Sequence, residues 1–161
     1  MPSRFCPIMR DEIHEFLTGL GFVPITIKGV VELVYAKVVP VGGHRLSLRI
    51  YTAVNPDGES RDKGTDAIRL QLFAKIEESI VPVGRSQKCL RVESWRTNLL
   101  KAIQRHADSF RLCPACGSPM VLRHNGNTGD EFWGCTMFRF TGCRGRRSDG
   151  PWPRPQQGCR P

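Results

Sequence analysis

The chain has 161 residues and a net charge of +9, from 24 lysines and arginines against 15 acidic residues. That length allows one ordinary domain plus a small module, and the charge favours acidic partners such as nucleic acid. No stretch reaches the roughly 18 apolar residues of a membrane span, and the opening MPSRFCPIMRDEI lacks an apolar run of signal length, so no membrane partner and a cytoplasmic location are expected.

The first predicted element is a helix over 11–20, with Ile13, Phe16, Leu17 and Leu20 on one face and Gly21 as its stop. Four strands are predicted next, over 31–39, 45–54, 67–76 and 88–92, separated by the turn signals PVGGH, NPDGESRDKG and VPVG. A second helix follows, marked by Trp95, Leu99, Ala102, Ile103 and His106, with Ser94 near its N-cap. Residues 1–110 therefore read as an α+β domain: helix, four-stranded and mainly antiparallel sheet, helix, with the helices on one face. A small C-terminal zinc ribbon is expected over 111–148, and the Pro- and Gly-rich residues 149–161 read as a disordered tail.

Strand alternation divides the sheet into two faces. Val34, Ala36, Val38, Leu46, Leu48, Ile50, Ile68, Leu70, Leu72, Ala74, Leu90 and Val92 share the parity assigned to the helices. The opposite parity gives Tyr35, Lys37, Arg49, Tyr51, Arg69, Phe73, Lys75 and Arg91. Left open, that face offers rings for bases and cations for phosphates. A solvated face with ordinary cross-strand pairs is the alternative.

Four of the seven cysteines, Cys113, Cys116, Cys135 and Cys143, follow the spacing C-x2-C-x18-C-x7-C. In a reducing compartment such pairs read as metal ligands before disulfides. Four thiolates make the closed tetrahedral set preferred by structural zinc, one ion per chain. Between the pairs, MVLR and EFWG read as short strands joined by the turn HNGNTG. Arg123, Trp133, Phe138, Arg139, Phe140, Arg144, Arg146 and Arg147 surround this hairpin, an arrangement suited to stacking bases and holding phosphates. Phe132 is expected to cover the metal, and its neighbour Trp133 to be exposed.

The stretch CPACGSPMVLR, a glycine turn, EFWGC and a last cysteine followed by basic residues resembles the C4 zinc ribbon of bacterial type IA DNA topoisomerases. Gly117, Met120, Phe132 and Gly134 match that pattern along with the cysteines. The segment CTMFRFTGC is longer than the family's last gap, with Arg139 where proline is usual. The resemblance covers 113–147 and implies binding of DNA, mainly single strands.

A topoisomerase needs a nucleophilic tyrosine, an acidic metal cluster and a large gated body. Tyr35 and Tyr51 are the only tyrosines here, so the ribbon is present without that machinery. The expected function is a nonenzymatic DNA-binding accessory protein, with no small-molecule substrate. The acidic loop holding Asp57, Glu59, Asp62 and Asp66 supports a competing reading as a metal-dependent nuclease. A third reading is a protein-interaction module docking a protein of DNA metabolism.

Overall fold

The computed structural model describes residues 8–56 and 67–147. The acidic loop and the C-terminal tail lie outside them. Among the described residues the fold is α+β, with three helices and an eight-stranded, mostly antiparallel open sheet. The strands are β1 (Val23–Ile25), β2 (Val34–Val41), β3 (His44–Tyr51), β4 (Ile68–Ile76), β5 (Ser79–Cys89), β6 (Met120–His124), β7 (Glu131–Cys135) and β8 (Arg146–Arg147). They lie side by side in chain order. Pairs β1–β2, β6–β7 and β7–β8 are antiparallel, and β5–β6 is parallel. The helices are α1 (Arg10–Gly19), α2 (Trp95–Gln104) and the short α3 (Phe138–Thr141).

The chain forms two compact units. The first takes the described residues of Met1–Val39, Ser47–Leu70 and Gln87–Gln104. Here α1 buries Ile13 and Leu17, the stripe its periodicity predicts. Asp11 and Glu12 lie in its first turn, where negative charge complements the helix dipole. Its end is closed by Gly21, whose φ of 90° suits glycine. The Lys37 ammonium donates to the Leu20 carbonyl at 2.9 Å. Phe16 meets Trp95 of α2 edge-on at 5.3 Å, and Arg96 pairs with Glu12.

Strands β3 and β4 follow the expected alternation, since Leu46, Leu48, Ile50, Ile68, Leu70, Leu72 and Ala74 are all buried. Two strands do not. In β2 the buried set is Val34, Tyr35, Val39 and Val41, and Val38 is 58 % exposed. Tyr35 is thus a core residue, and its hydroxyl meets His14 Nδ1 at 2.8 Å. Burial raises the Tyr35 pKa, partly opposed by Arg10. The fourth strand begins well before 88, because VPVG is not a turn. The chain reverses at Glu77, with φ of 54°, and β5 then runs from Ser79 through Gly84. Gly84 serves a close approach instead: a Cβ there would sit 2.8 Å from the Ser109 carbonyl oxygen. At the end of β5 the parity is inverted, with Cys89 and Arg91 buried and Leu90 exposed.

Arg91 therefore leaves the set of surface candidates. Its guanidinium donates to the carbonyl of Ala53, which has a left-handed φ of 58°. The Ala53 amide donates to Glu32 Oε1. Arg91→Ala is expected to lower stability by about 1.5–3 kcal/mol, the range for a hydrogen bond to a charged group. The shift should appear in the urea midpoint. Loss of nucleic-acid affinity without loss of stability would contradict this structural role.

On the other face of the first unit, Tyr51 and Arg49 are half-buried and Arg69 is exposed. The Arg69 guanidinium lies 4.9 Å over the Tyr51 ring and pairs with Glu32 at 3.0 Å. Ring and cation thus share a face, with an acid already opposite the cation. In the second unit, Phe73 is half-buried and Lys75 exposed.

Candidate metal centre and the face beside it

The second unit takes Pro40–Leu46, Gln71–Ser86 and the described residues from Arg105 on. Its hairpin β6–β7 pairs Met120 with Cys135, Leu122 with Trp133, Val121 with Gly134 and Arg123 with Phe132. The two-residue period sends Met120, Leu122, Trp133 and Cys135 inward. Cys113, Met120, Trp133 and Cys135 form a buried cluster, with Leu122, Met137 and Cys143 packed on it.

Trp133 is 0 % exposed, and Phe132 is the half-exposed neighbour. The expected assignment of these two rings is reversed. Cys135 must turn inward to meet the other sulfurs, and Trp133, two residues earlier, turns with it. The buried Arg111 lies over the indole at 5.5 Å and donates to the carbonyls of Asp108 and Phe110.

The sulfurs of Cys113, Cys116, Cys135 and Cys143 all lie within 4.8 Å of one another. Cys116 and Cys135 are 3.4 Å apart, and Cys113 and Cys143 3.8 Å. Backbone amides two residues on aim at the sulfurs: Ala115 at Cys113 (3.4 Å) and Met137 at Cys135 (3.3 Å). Ser118 and Gly145 supply the same donors to Cys116 and Cys143. Such donors stabilise thiolate charge and fix ligand orientation. The donor set and its spacing are compatible with one structural metal such as zinc.

Two glycines serve this centre differently. Gly117, with φ of 77°, makes the turn after CPAC, and its carbonyl meets His44 Nε2 at 3.0 Å. Gly145 is a residue that the sequence reading misses. A Cβ on it would overlap Cys113 Sγ and crowd Ala115. A glycine two residues after the last cysteine is the available signal, mirroring the glycine beside the first pair.

Metal uptake at this centre is expected to be pH-dependent. The Ser118 hydroxyl and amide lower the Cys116 thiol to about 6, while burial pushes Cys135 up to about 12. Metal binds the deprotonated form, so the loaded state holds fewer protons and rising pH favours it. Cys135 and Cys143 are both raised and each gives up a proton on binding metal, so apparent affinity should rise by more than about tenfold per pH unit at neutral pH. Chelator competition between pH 5.5 and 8 measures the slope, and a flat profile would contradict this proton displacement.

Of the remaining candidates, Arg123 and Arg146 share the outer face of the hairpin, while Arg147 has the inward parity of Trp133 and leaves that set. Arg146 of β8 stands opposite Gly134 and Arg147 opposite Trp133. Arg123, Arg139, Arg144 and Arg146 are exposed. On α3, Phe138 and Phe140 are 52 % and 46 % exposed. The Arg146 guanidinium lies 4.3 Å over the Phe132 ring. Glu131 at the start of β7 is held by Arg85 at 2.9 Å.

Comparisons with known protein families, curated proteins and solved structures return no match for this chain. The likeness to the topoisomerase ribbon thus rests on the motif alone.

Proposed function

We infer that this chain is a nonenzymatic DNA-binding accessory protein that takes single strands on the outer face of a structural zinc ribbon. One observation carries the reading. Arg123, Phe132 and Arg146 share one face of the hairpin, and Phe138 and Arg144 line the same cleft with them. Single strands are bound by this pairing of ring faces for bases with cations for phosphates. The net charge of +9 adds long-range attraction.

Labelled single-stranded DNA, duplex DNA and RNA, titrated at several salt concentrations, test the reading. Single-stranded DNA is expected to bind most tightly, with steep salt dependence. Replacing Arg123, Arg144 and Arg146 with glutamine should flatten the log–log slope by roughly 0.7 for each phosphate that is no longer neutralised. Phe138→Ala should cost about 1–3 kcal/mol if one base stacks there. Unchanged affinity and slope in these variants would remove the face from consideration. Salt-insensitive capture of a protein of DNA metabolism would favour a docking role for the exposed rings, and magnesium-dependent cleavage of the strand would favour the nuclease reading.

A further inference from the structure

The outer face of β6–β8 is not flat. Gly134 lies at its centre, flanked across the register by Val121 and Arg146. The face carries a cleft of ≈ 270 Å³, lined by Arg123, Phe132, Gly134, Phe138, Arg144 and Arg146 among others. Cys135, Cys143 and Gly145 also line it, so it adjoins the metal centre. The glycine is what allows Arg123 to reach in, since a Cβ at Gly134 would stand 2.5 Å from Arg123 Nε and 2.8 Å from its Cδ. On the opposite side, Arg146 is stacked on Phe132 at 4.3 Å. Among the described residues, no acidic one lines the cleft.

We propose that this cleft is a seat for a single unpaired nucleotide, its base against Phe138 and Phe132 and its phosphate among Arg123, Arg144 and Arg146. The proposal rests on the single-strand reading above and narrows it. The volume lies just below the roughly 300–1,000 Å³ of drug-sized ligand pockets, so it suits one nucleotide. The lining combines the rings of Phe132 and Phe138 with the guanidinium groups of Arg123, Arg144 and Arg146, so neither a bare anion nor an uncharged base uses all of it. A base inside a duplex has both ring faces stacked and its pairing edge occupied. It would have to leave the helix first, at a cost of unpairing and unstacking. Selectivity for single strands follows from this shape without any reading of sequence. The seated unit has two sources, a nucleotide splayed from within a strand or one at a strand end. Both present the same base-plus-phosphate chemistry.

The test uses the full, zinc-loaded chain and three small probes: thymidine 5′-monophosphate, thymidine and inorganic phosphate. Binding is followed by calorimetry and by chemical-shift changes at Phe132 and Phe138. The monophosphate is expected to bind at least tenfold more tightly than either fragment. Gly134→Ala, which displaces Arg123, should weaken the monophosphate at least fivefold with zinc content unchanged. Phe138→Ala, at an exposed position, should do the same. Phosphate binding as tightly as the monophosphate would overturn the seat, leaving a plain anion site. Normal strand binding with no monophosphate binding, and no effect of Gly134→Ala on the strand, would also overturn it while leaving the single-strand reading standing. If neither strand nor monophosphate binds, both fall. Linear and circular strands of equal length separate the two sources: equal affinity assigns an internal nucleotide, and loss on the circle assigns a strand end.

Discussion

Gly145→Ala is expected to abolish stoichiometric metal binding and to unfold the ribbon. The added methyl group would occupy the space of Cys113 Sγ, with Ala115 Cβ 3.3 Å away on another side. Cys113 is buried and already tied into the C-x2-C turn by the Ala115 amide, so the sulfur has nowhere to retreat. The Gly145 backbone cannot swing out freely either, because its carbonyl accepts from the Cys135 amide at 3.2 Å. One substitution therefore disturbs ligands of both pairs. Structural zinc contributes on the order of 10 kcal/mol to the folding of small metal modules, far more than a typical point mutation removes. Elemental analysis of the purified variant checks this. One zinc per chain in Gly145→Ala, with unchanged thermal stability, would show that the backbone beside Cys113 yields more than the packing allows.

The second large effect is at Trp133. Its side chain is fully buried in a cluster with Cys113, Met120 and Cys135, with Arg111 over its ring. Truncating a buried large aromatic costs about 3–5 kcal/mol, from lost transfer energy and the cavity left behind. Trp133→Ala should therefore lower the urea midpoint strongly, and Trp133→Phe much less. At denaturant-free, low temperature, where either variant remains folded, affinity for single-stranded DNA should stay near that of the parent. Normal stability with weak strand binding would instead restore Trp133 as a stacking platform and contradict its place in the core.

The reversal at Trp133 shows what the sequence makes legible and where that reading stops. The four cysteines come from spacing alone, because metal chemistry restricts which residues stand at which intervals. The same two-residue period that orders β3 and β4 applies to EFWGC. Taking the inward Cys135 as the anchor places Trp133 inside and Phe132 outside. The inverted parities of β2 and of Cys89–Val92 have another origin. Tyr35 and Arg91 are polar-ended residues held in the interior by particular partners, His14 and the Ala53 carbonyl. Those partners are distant in sequence, and local alternation does not reveal them. Pro82 and Gly84 spell a turn by composition, yet Gly84 is there because Ser109 approaches it, again a contact made by tertiary structure. Strand β1 has three residues, with Val23 exposed. So short an edge strand leaves no periodic trace. The cleft over Gly134 needs the register of three strands, two of them separated by α3.

We propose that a metal held by Cys113, Cys116, Cys135 and Cys143 builds the face that binds single strands. It is tested most directly by measuring zinc content and affinity for single-stranded DNA on the same sample, as purified, after removal of the metal with a chelator, and after reloading. One zinc per chain is expected at the start, with loss of most of the affinity when the metal is removed and recovery of both on reloading. Affinity that stays constant while zinc falls to zero and returns would contradict it.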